Sequence, residues 1–388
     1  MGIPDFAGLA AQLTPQLIQI RRHLHQYPEV AYEEVETTRS IRVWLAEAGI
    51  RILEVPLQTG VVAEVSGSMD GAIVALRADI DALPIQEETG LPYASRISGK
   101  MHACGHDFHT AAVLGAAYLL KTQEKQLKGT VRFIFQPAEE KGTGAGQIIE
   151  SGALQGVQAI FGLHNKPDLK TGTVGILPGP LMAAVDGFDI EIEGIGTHAA
   201  IPEAGVDPIV AAAQIVSSLQ TIVSRNISPL HNAVVSVTSI HGGSTWNVIP
   251  DKVVLGGTVR TFQEQVRAKI PEHFRRIIEG VTAAYGTKIS LSWFEGPPAV
   301  RNDERLSRLS VEAAKKAGLA VVVPVPSPAG EDFAYYQAAM PGSFVFIGTS
   351  GTHEWHHPGF TLDDRALQQS VHYLAEAALA ALAALEGR

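Results

Sequence analysis

The chain has 388 residues, enough for two domains with separate cores, and its 46% hydrophobic and 18% charged content is that of a soluble globular protein. A net charge of −10, from 30 basic and 40 acidic residues without a basic block, argues against nucleic acid as a partner. The single cysteine excludes an internal disulfide and fits a reducing compartment, so the expected location is cytoplasmic.

The start, MGIPDFAGLAAQ, has no basic stretch leading into an apolar run, so no secretory leader is expected. Phe6 stands where N-myristoylation wants Ser or Thr. No apolar run is long enough for a bilayer; the Ala/Leu-rich tail from Tyr373 to Leu385 is short and carries Glu376. Apolar spacing predicts a helix through LIQIRRHLHQ that ends at Pro28, and a second from about Glu33 closed by Gly49. His23 and His25 fall on a charged helix and read as solvated. Two strands follow, VVAEVSG and AIVALRADIDALP. Asp79 and Asp81 lie two apart at the carboxyl end of the second, hence on one face, where open α/β sheets form their sites. They either orient ligand histidines or catalytic groups, or cap the turn before Pro84.

The stretch HACGHDFH, His102 to His109, carries the densest chemistry. Cys104 and His106 are two apart, so on an extended segment both point to one side. A thiolate beside an imidazole suits zinc, manganese or cobalt. The following DFHTAAVLGAAYLL reads as a buried helix with Asp107 as its N-cap. His102 and His109 lack such support and read as local hydrogen-bonding residues. GTVRFIFQPAEE is a strand ending in Glu139 and Glu140, whose side chains diverge because they are adjacent. One can bind a metal while the other acts as general base, the division that metal-assisted hydrolysis requires. The GTGAG after it lacks the Lys-Ser/Thr of a phosphate loop. VQAIFGLHNKPD is a buried strand with His164 at its carboxyl end.

From about Ala183 to Gly296 the order becomes strand, helix, strand, strand, helix, strand, a ferredoxin-like α+β layer inserted in the larger pattern as a lid. The domain reading is therefore 1–182 with 297–388 for catalysis, and 183–296 for the insert. His198 sits in the small-residue loop GIGTHAAIP, Asn247 in STWNVIPD and Arg260 on the strand GGTVRTF. The α/β pattern then resumes with the amphipathic helix ERLSRLSVEAAKKAG, followed by AGEDFAYYQAAMPG, the strand SFVFIG, a loop with His353, His356 and His357, and a closing helix.

Cys104, His106, Glu140, His164 and one of His356 or His357 come from four loops that follow or join elements of one parallel-type sheet. Five donors with Glu139 left over fit a dinuclear hydrolytic centre better than a structural zinc, which favours closed four-ligand sets with paired cysteines. The deaminase pattern and the Gly-x-Ser-x-Gly elbow are absent. Three other readings compete: a cysteine hydrolase with Cys104 as nucleophile, a non-catalytic binding protein on the same fold, and a metallo-exopeptidase cutting dipeptides.

MHACGHDFHTA, FIFQPAEE, FGLHN, GTHAAIP, NVIPD, GTVR, GEDFAYY and HHPGF stand in the order found in the aminoacylase and hippurate-hydrolase group of dinuclear metallo-amidohydrolases, which also holds the indole-acetyl amino acid hydrolases. The chain resembles that group, a relative of the glutamate carboxypeptidase-like exopeptidases, from about Arg21 to Asp364. The resemblance implies a zinc-exopeptidase-like α/β domain with a mixed, mostly parallel sheet between helices, and an inserted lid that often mediates self-association into a dimer or tetramer. It implies two divalent metals (zinc, manganese, cobalt or nickel) held by Cys104, His106, Glu140, His164 and His356, with Glu139 as general base and Asp81 orienting a ligand. It also makes His198, Asn247 and Arg260 substrate-binding residues. The expected reaction cleaves N-acyl amino acids, N-acetyl or benzoyl among them. In it Glu139 moves the proton, His198 stabilises the oxyanion, and Arg260 and Asn247 hold the carboxylate.

Overall fold

The computed structural model describes residues 6–386; the expectation of no leader at the first five residues lies outside the described residues. The chain divides into two compact units. One runs to Gly179 and takes in 301–325 and the chain from Asp332 onward; the other comprises 180–300 and 326–331, the latter a segment that the sequence reading left with the catalytic part.

The first unit is built on an eight-stranded mixed sheet in the order Arg51–Leu53, Val61–Ser66, Lys128–Gln136, Met69–Asp79, Val157–Lys166, Gly342–Gly348, Thr173–Gly175, Ala320–Val322. The pairings among Lys128–Gln136, Met69–Asp79, Val157–Lys166 and Gly342–Gly348 are parallel. These strands are buried nearly throughout, which is why they read as apolar runs rather than alternations. The helix His106–Thr122 is apolar on all sides and buried on all sides. It shares one core with the helices Phe6–Gln26 and Ala366–Leu385. A Cβ on Gly115 would meet Leu17 and Val371 at 2.6 Å, so the close approach of these helices requires glycine there.

Two sequence expectations fail here. His25 is fully buried instead of solvated, with Nδ1 2.9 Å from Asp107 and Nε2 3.3 Å from Glu87. Burial pulls its pKa down, but the two carboxylates prevail and raise it. Asp107 does not cap the helix. The N-cap is Gly105, and the Asp107 carboxylate accepts from the fully buried Arg21 at 2.7 Å. Arg21 also donates to Asp364 at 2.8 Å. Neither error is avoidable from local pattern, because both partners come from distant segments.

The second unit is a four-stranded antiparallel sheet in the order Ala233–Gly242, Lys252–Thr261, Ala184–Glu193, Lys288–Glu295. The helices Pro208–Thr221 and Ile270–Tyr285 share its core around Phe188, Ile190, Leu255 and Phe274. Asp207 caps the first of them, accepting from Ile209 N at 2.8 Å, with Pro208 at the first helical position. Asp186 and Arg267 form a two-point ion pair at 2.6 and 3.0 Å. Among the described residues no helix is long and apolar enough to cross a membrane.

Candidate metal centre

The four central parallel strands all end on one edge of the sheet, and each end delivers chemistry. Met69–Asp79 leads to Asp81, Lys128–Gln136 to Glu139 and Glu140, Val157–Lys166 carries His164, and Gly342–Gly348 leads to the loop with His356. Cys104 and His106 enter from the helix start beside them. Donor atoms of Cys104, His106 and His164 lie within 4.8 Å of one another, as do those of Cys104, Glu140 and His356, and of His106, Glu139 and Glu140. Cys104 Sγ is 3.4 Å from His164 Nε2. Glu140 Oε1 is 3.3 Å from His356 Nε2 and 3.8 Å from His106 Nε2. The Glu139 carboxylate reaches His106 only at 4.0 Å, and its Oε1 accepts from Asp332 N at 3.3 Å.

Backbone geometry sets this divergence. Ala138 takes a left-handed conformation (φ 53°), and Glu139–Lys141 then form one tight turn. Asp81 accepts from the amides of Glu139 and Glu140 at 3.1 and 3.0 Å, and its Oδ1 lies 3.3 Å from His106 Nδ1. Behind the turn, Arg77 donates to Gln136, Asp79 and Asp332 at 2.7–2.8 Å. All four groups are buried.

The donor set fits divalent metal. Among the described residues His106 Nε2 is buried without a hydrogen-bond partner, and His106 Nδ1 and Glu140 Oε1 meet Asp81 and His356 at 3.3 Å only in poor hydrogen-bond geometry, a costly arrangement unless something else engages them. Burial pulls the His106 pKa down, yet Asp79, Asp81 and Glu140 raise it to about 10, so the carboxylates around this ring favour a positive charge at its position, which a proton or a metal cation can supply. His164 donates from Nδ1 to its neighbour's carbonyl, Asn165 O, at 2.8 Å, which leaves Nε2 as an acceptor facing Cys104. Burial, then His109, holds its pKa well below the usual histidine range, the neutral form a ligand needs.

Asn165 is a residue the sequence reading missed. It donates to Cys104 O at 2.6 Å and accepts from Trp355 Nε1 at 3.2 Å, so it ties the cysteine loop to the His356 loop. His356 N donates to Ala103 O at 2.9 Å, closing the same seam. Gly105 (φ +83°) makes this possible: a Cβ there would lie 2.4 Å from Asn165 Nδ2. Gly105→Ala is expected to cost about 1–2 kcal/mol from the left-handed backbone alone, more from the displaced Asn165, and to weaken metal uptake. Urea unfolding and metal titration check this; wild-type values in both would show that the loop yields.

The remaining candidates fall into place as follows. His356 faces Glu140, whereas His357 accepts from Gly359 N at 2.9 Å and stacks on His353. His109 pairs with Asp79 at 2.6 Å and accepts from Asn165 N at 2.9 Å. His102 is buried, and among the described residues neither of its nitrogens has a hydrogen-bond partner, which differs from the role expected for it. In the second unit, the strand Thr197–His198 pairs with Val248–Ile249, and Ala199 N donates to Asn247 O at 3.0 Å, so His198 and Asn247 are neighbours. Arg260 lies half-buried on the separate strand Lys252–Thr261, donating to Thr258 and to Val259 O.

A mostly parallel sheet that gathers thiol, imidazole and carboxylate donors at its strand ends, beside a second glutamate, is the architecture of a metallo-amidohydrolase. Residues 75–380 match peptidase family M20/M25/M40, and the chain belongs to that family. It is 57% identical over 366 residues to an N-acetyl-L-cysteine deacetylase of Bacillus subtilis (strain 168), covering 94% of this chain and 88% of that one. It is 39% identical over 342 residues to a thermostable carboxypeptidase of Saccharolobus solfataricus, covering 86% of each. A crystal structure from Bacillus subtilis, described as a dinuclear metal binding peptidase of the M20 family, matches with a TM-score of 0.88 and 52% identity over 96% of this chain and 99% of that one.

Proposed function

We propose that the protein hydrolyses the amide bond of N-acyl amino acids, N-acetyl-L-cysteine and related N-acetyl amino acids first among them, releasing a carboxylic acid and a free amino acid. The observation that supports this best is the convergence of Cys104, His106, Glu140, His164 and His356 beside a second glutamate, Glu139, whose carboxylate lies 4.0 Å from His106 and also accepts from Asp332 N at 3.3 Å. Those five residues would hold two divalent cations of the zinc, manganese, cobalt or nickel type. When bound, the cations polarise the amide carbonyl and lower the pKa of water from 15.7 to about 7.

The chain's own groups do the rest. Glu139 takes the proton of the attacking water at its carboxylate and returns it to the leaving nitrogen. Asp81 fixes the turn through the Glu139 and Glu140 amides. His198 Nδ1 accepts from Ala200 N at 3.1 Å, which puts its proton on Nε2 as a donor for the developing oxyanion. Arg260 and Asn247 hold the substrate carboxylate, the guanidinium by two parallel hydrogen bonds. On this reading the insert of 183–296 is a substrate-gripping lid and a self-association unit, and the single Cys104 supports a reducing cytoplasm as the location.

A second reading, hydrolysis of short peptides from the carboxyl end, is favoured by the carboxypeptidase relative. Both are tested by one panel. Protein reconstituted with each metal is assayed on N-acetyl-L-cysteine, other N-acetyl and N-benzoyl amino acids, and dipeptides. A kcat/KM at least about tenfold higher on N-acetyl amino acids, the discrimination that small pocket differences supply, is expected. Faster dipeptide cleavage favours the second reading, and no turnover with any metal overturns both.

A further inference from the structure

The loop between the first two helices ends on the glutamate turn. Ala82 N donates to Glu29 O at 2.8 Å, beside the bridge between Val30 and Ala82. The Glu29 carboxylate accepts from the amides of Glu36 and Thr37 at 3.2 and 2.8 Å, fixing the loop to the second helix. Tyr32 takes a left-handed conformation (φ 70°), which an aromatic residue adopts at a cost, and its hydroxyl pairs with Thr143 just past the turn. Glu34 is fully buried; its Oε1 accepts from Ala138 N at 2.9 Å and its Oε2 from Thr59 Oγ1 at 2.9 Å.

Three consecutive amides, of Ala138, Glu139 and Glu140, therefore point at two buried carboxylates, Glu34 on the first and Asp81 on the other two. Glu34 makes no ion pair among the described residues, so its burial is offset by hydrogen bonds alone: the Ala138 amide, the Thr59 hydroxyl and its own backbone amide. A carboxylate is an expensive group to bury for general packing, and an economical one for holding a left-handed Ala138 in place.

We propose that Glu34 is a positioning residue for the glutamate pair, fixing the backbone at Ala138 so that Glu140 faces the metal cluster and Glu139 faces the substrate, with Tyr32 as a second anchor of the same strap. The proposal rests on the reading of Glu139 as base and Glu140 as ligand.

The test compares Glu34→Met, similar in size without a good acceptor, with Glu34→Gln, which keeps an acceptor for Ala138 N. Full-length proteins are titrated with cobalt(II), followed by visible absorption and elemental analysis, and assayed on N-acetyl-L-cysteine. Glu34→Met is expected to lower kcat about 10²-fold, the effect of a displaced catalytic group, with KM little changed and the cobalt spectrum shifted. Glu34→Gln is expected to restore the wild-type spectrum and most of kcat. A wild-type spectrum and kcat in Glu34→Met overturn the proposal, as do equal losses in both variants that follow their melting temperatures. Should Glu34→Met not fold, Tyr32→Phe decides by the same spectrum: a shift supports the strap and no shift overturns it. If wild-type protein turns over no N-acyl amino acid, the functional reading fails, while the cobalt spectra still decide the positioning role.

Discussion

Glu139→Gln is expected to keep its metal and its fold and to lose about 10²–10⁴-fold in turnover, the usual worth of a general base. Glu140→Gln, one residue on, is expected to lose metal. The two carboxylates share a turn and are similarly enclosed, so the difference must come from direction. Glu140 Oε1 lies 3.3 Å from His356 and 3.8 Å from His106, inside the donor cluster. Glu139 reaches His106 only at 4.0 Å and is steadied from the other side by Asp332 N. An amide at 139 keeps the hydrogen bond from Asp332 N but accepts no proton. An amide at 140 offers a neutral oxygen where a charged donor is needed. Elemental analysis of the two purified variants, alongside kcat, settles the matter: equal metal contents would refute the division of labour.

Arg77→Met is expected to produce the largest loss of stability in the chain. The guanidinium is fully enclosed and donates to Asp79, Gln136 and Asp332. Asp332 in turn accepts from Gln136 Nε2 and Ala145 N, and Tyr336 donates to Gln136. Methionine fills similar space but leaves the buried Asp332 carboxylate without its cation and takes one partner from Asp79, which keeps His109; breaking a buried pair in this way typically costs about 3–5 kcal/mol. Urea unfolding of metal-free protein measures this without confusion from metal binding. A loss below about 1 kcal/mol would mean that the carboxylates take up protons without penalty.

The central strands of the first unit were legible because their apolar runs are buried on both faces, and the insert because its main strands and helices follow in a recognisable order; the three-residue strands Arg51–Leu53, Thr173–Gly175 and Ala320–Val322 were too short to stand out. Donor types at Cys104, His106, Glu140 and His164 stand out in sequence because each lies at a strand end or a helix start. Glu34 gave no such sign: it is one of several acidic residues in a charged stretch, and only the fold brings it to Ala138. Asn165 was hidden in the motif FGLHN beside a more conspicuous histidine. Arg77 and Asp332 are far apart in the chain, and nothing local marks either as buried. His25 misled for the same reason, since a histidine on a charged helix looks wet until Asp107 and Glu87 close around it. Periodicity reports which face is apolar, but the partners of an enclosed charge are a tertiary fact.

The seam between the cysteine loop and the His356 loop has a consequence for biosynthesis. His356 N reaches Ala103 O, and Trp355 reaches Asn165, only after the strand Gly342–Gly348 has added to the sheet beside Val157–Lys166. On the ribosome that strand emerges after the whole inserted unit, which has its own core and is able to fold during the wait. If the proposed ligands are right, a nascent chain that has exposed Cys104, His106, Glu140 and His164 would hold an incomplete cage. On the proposed ligand set, tight metal capture would report that translation has passed His356, and with it that the sheet has closed.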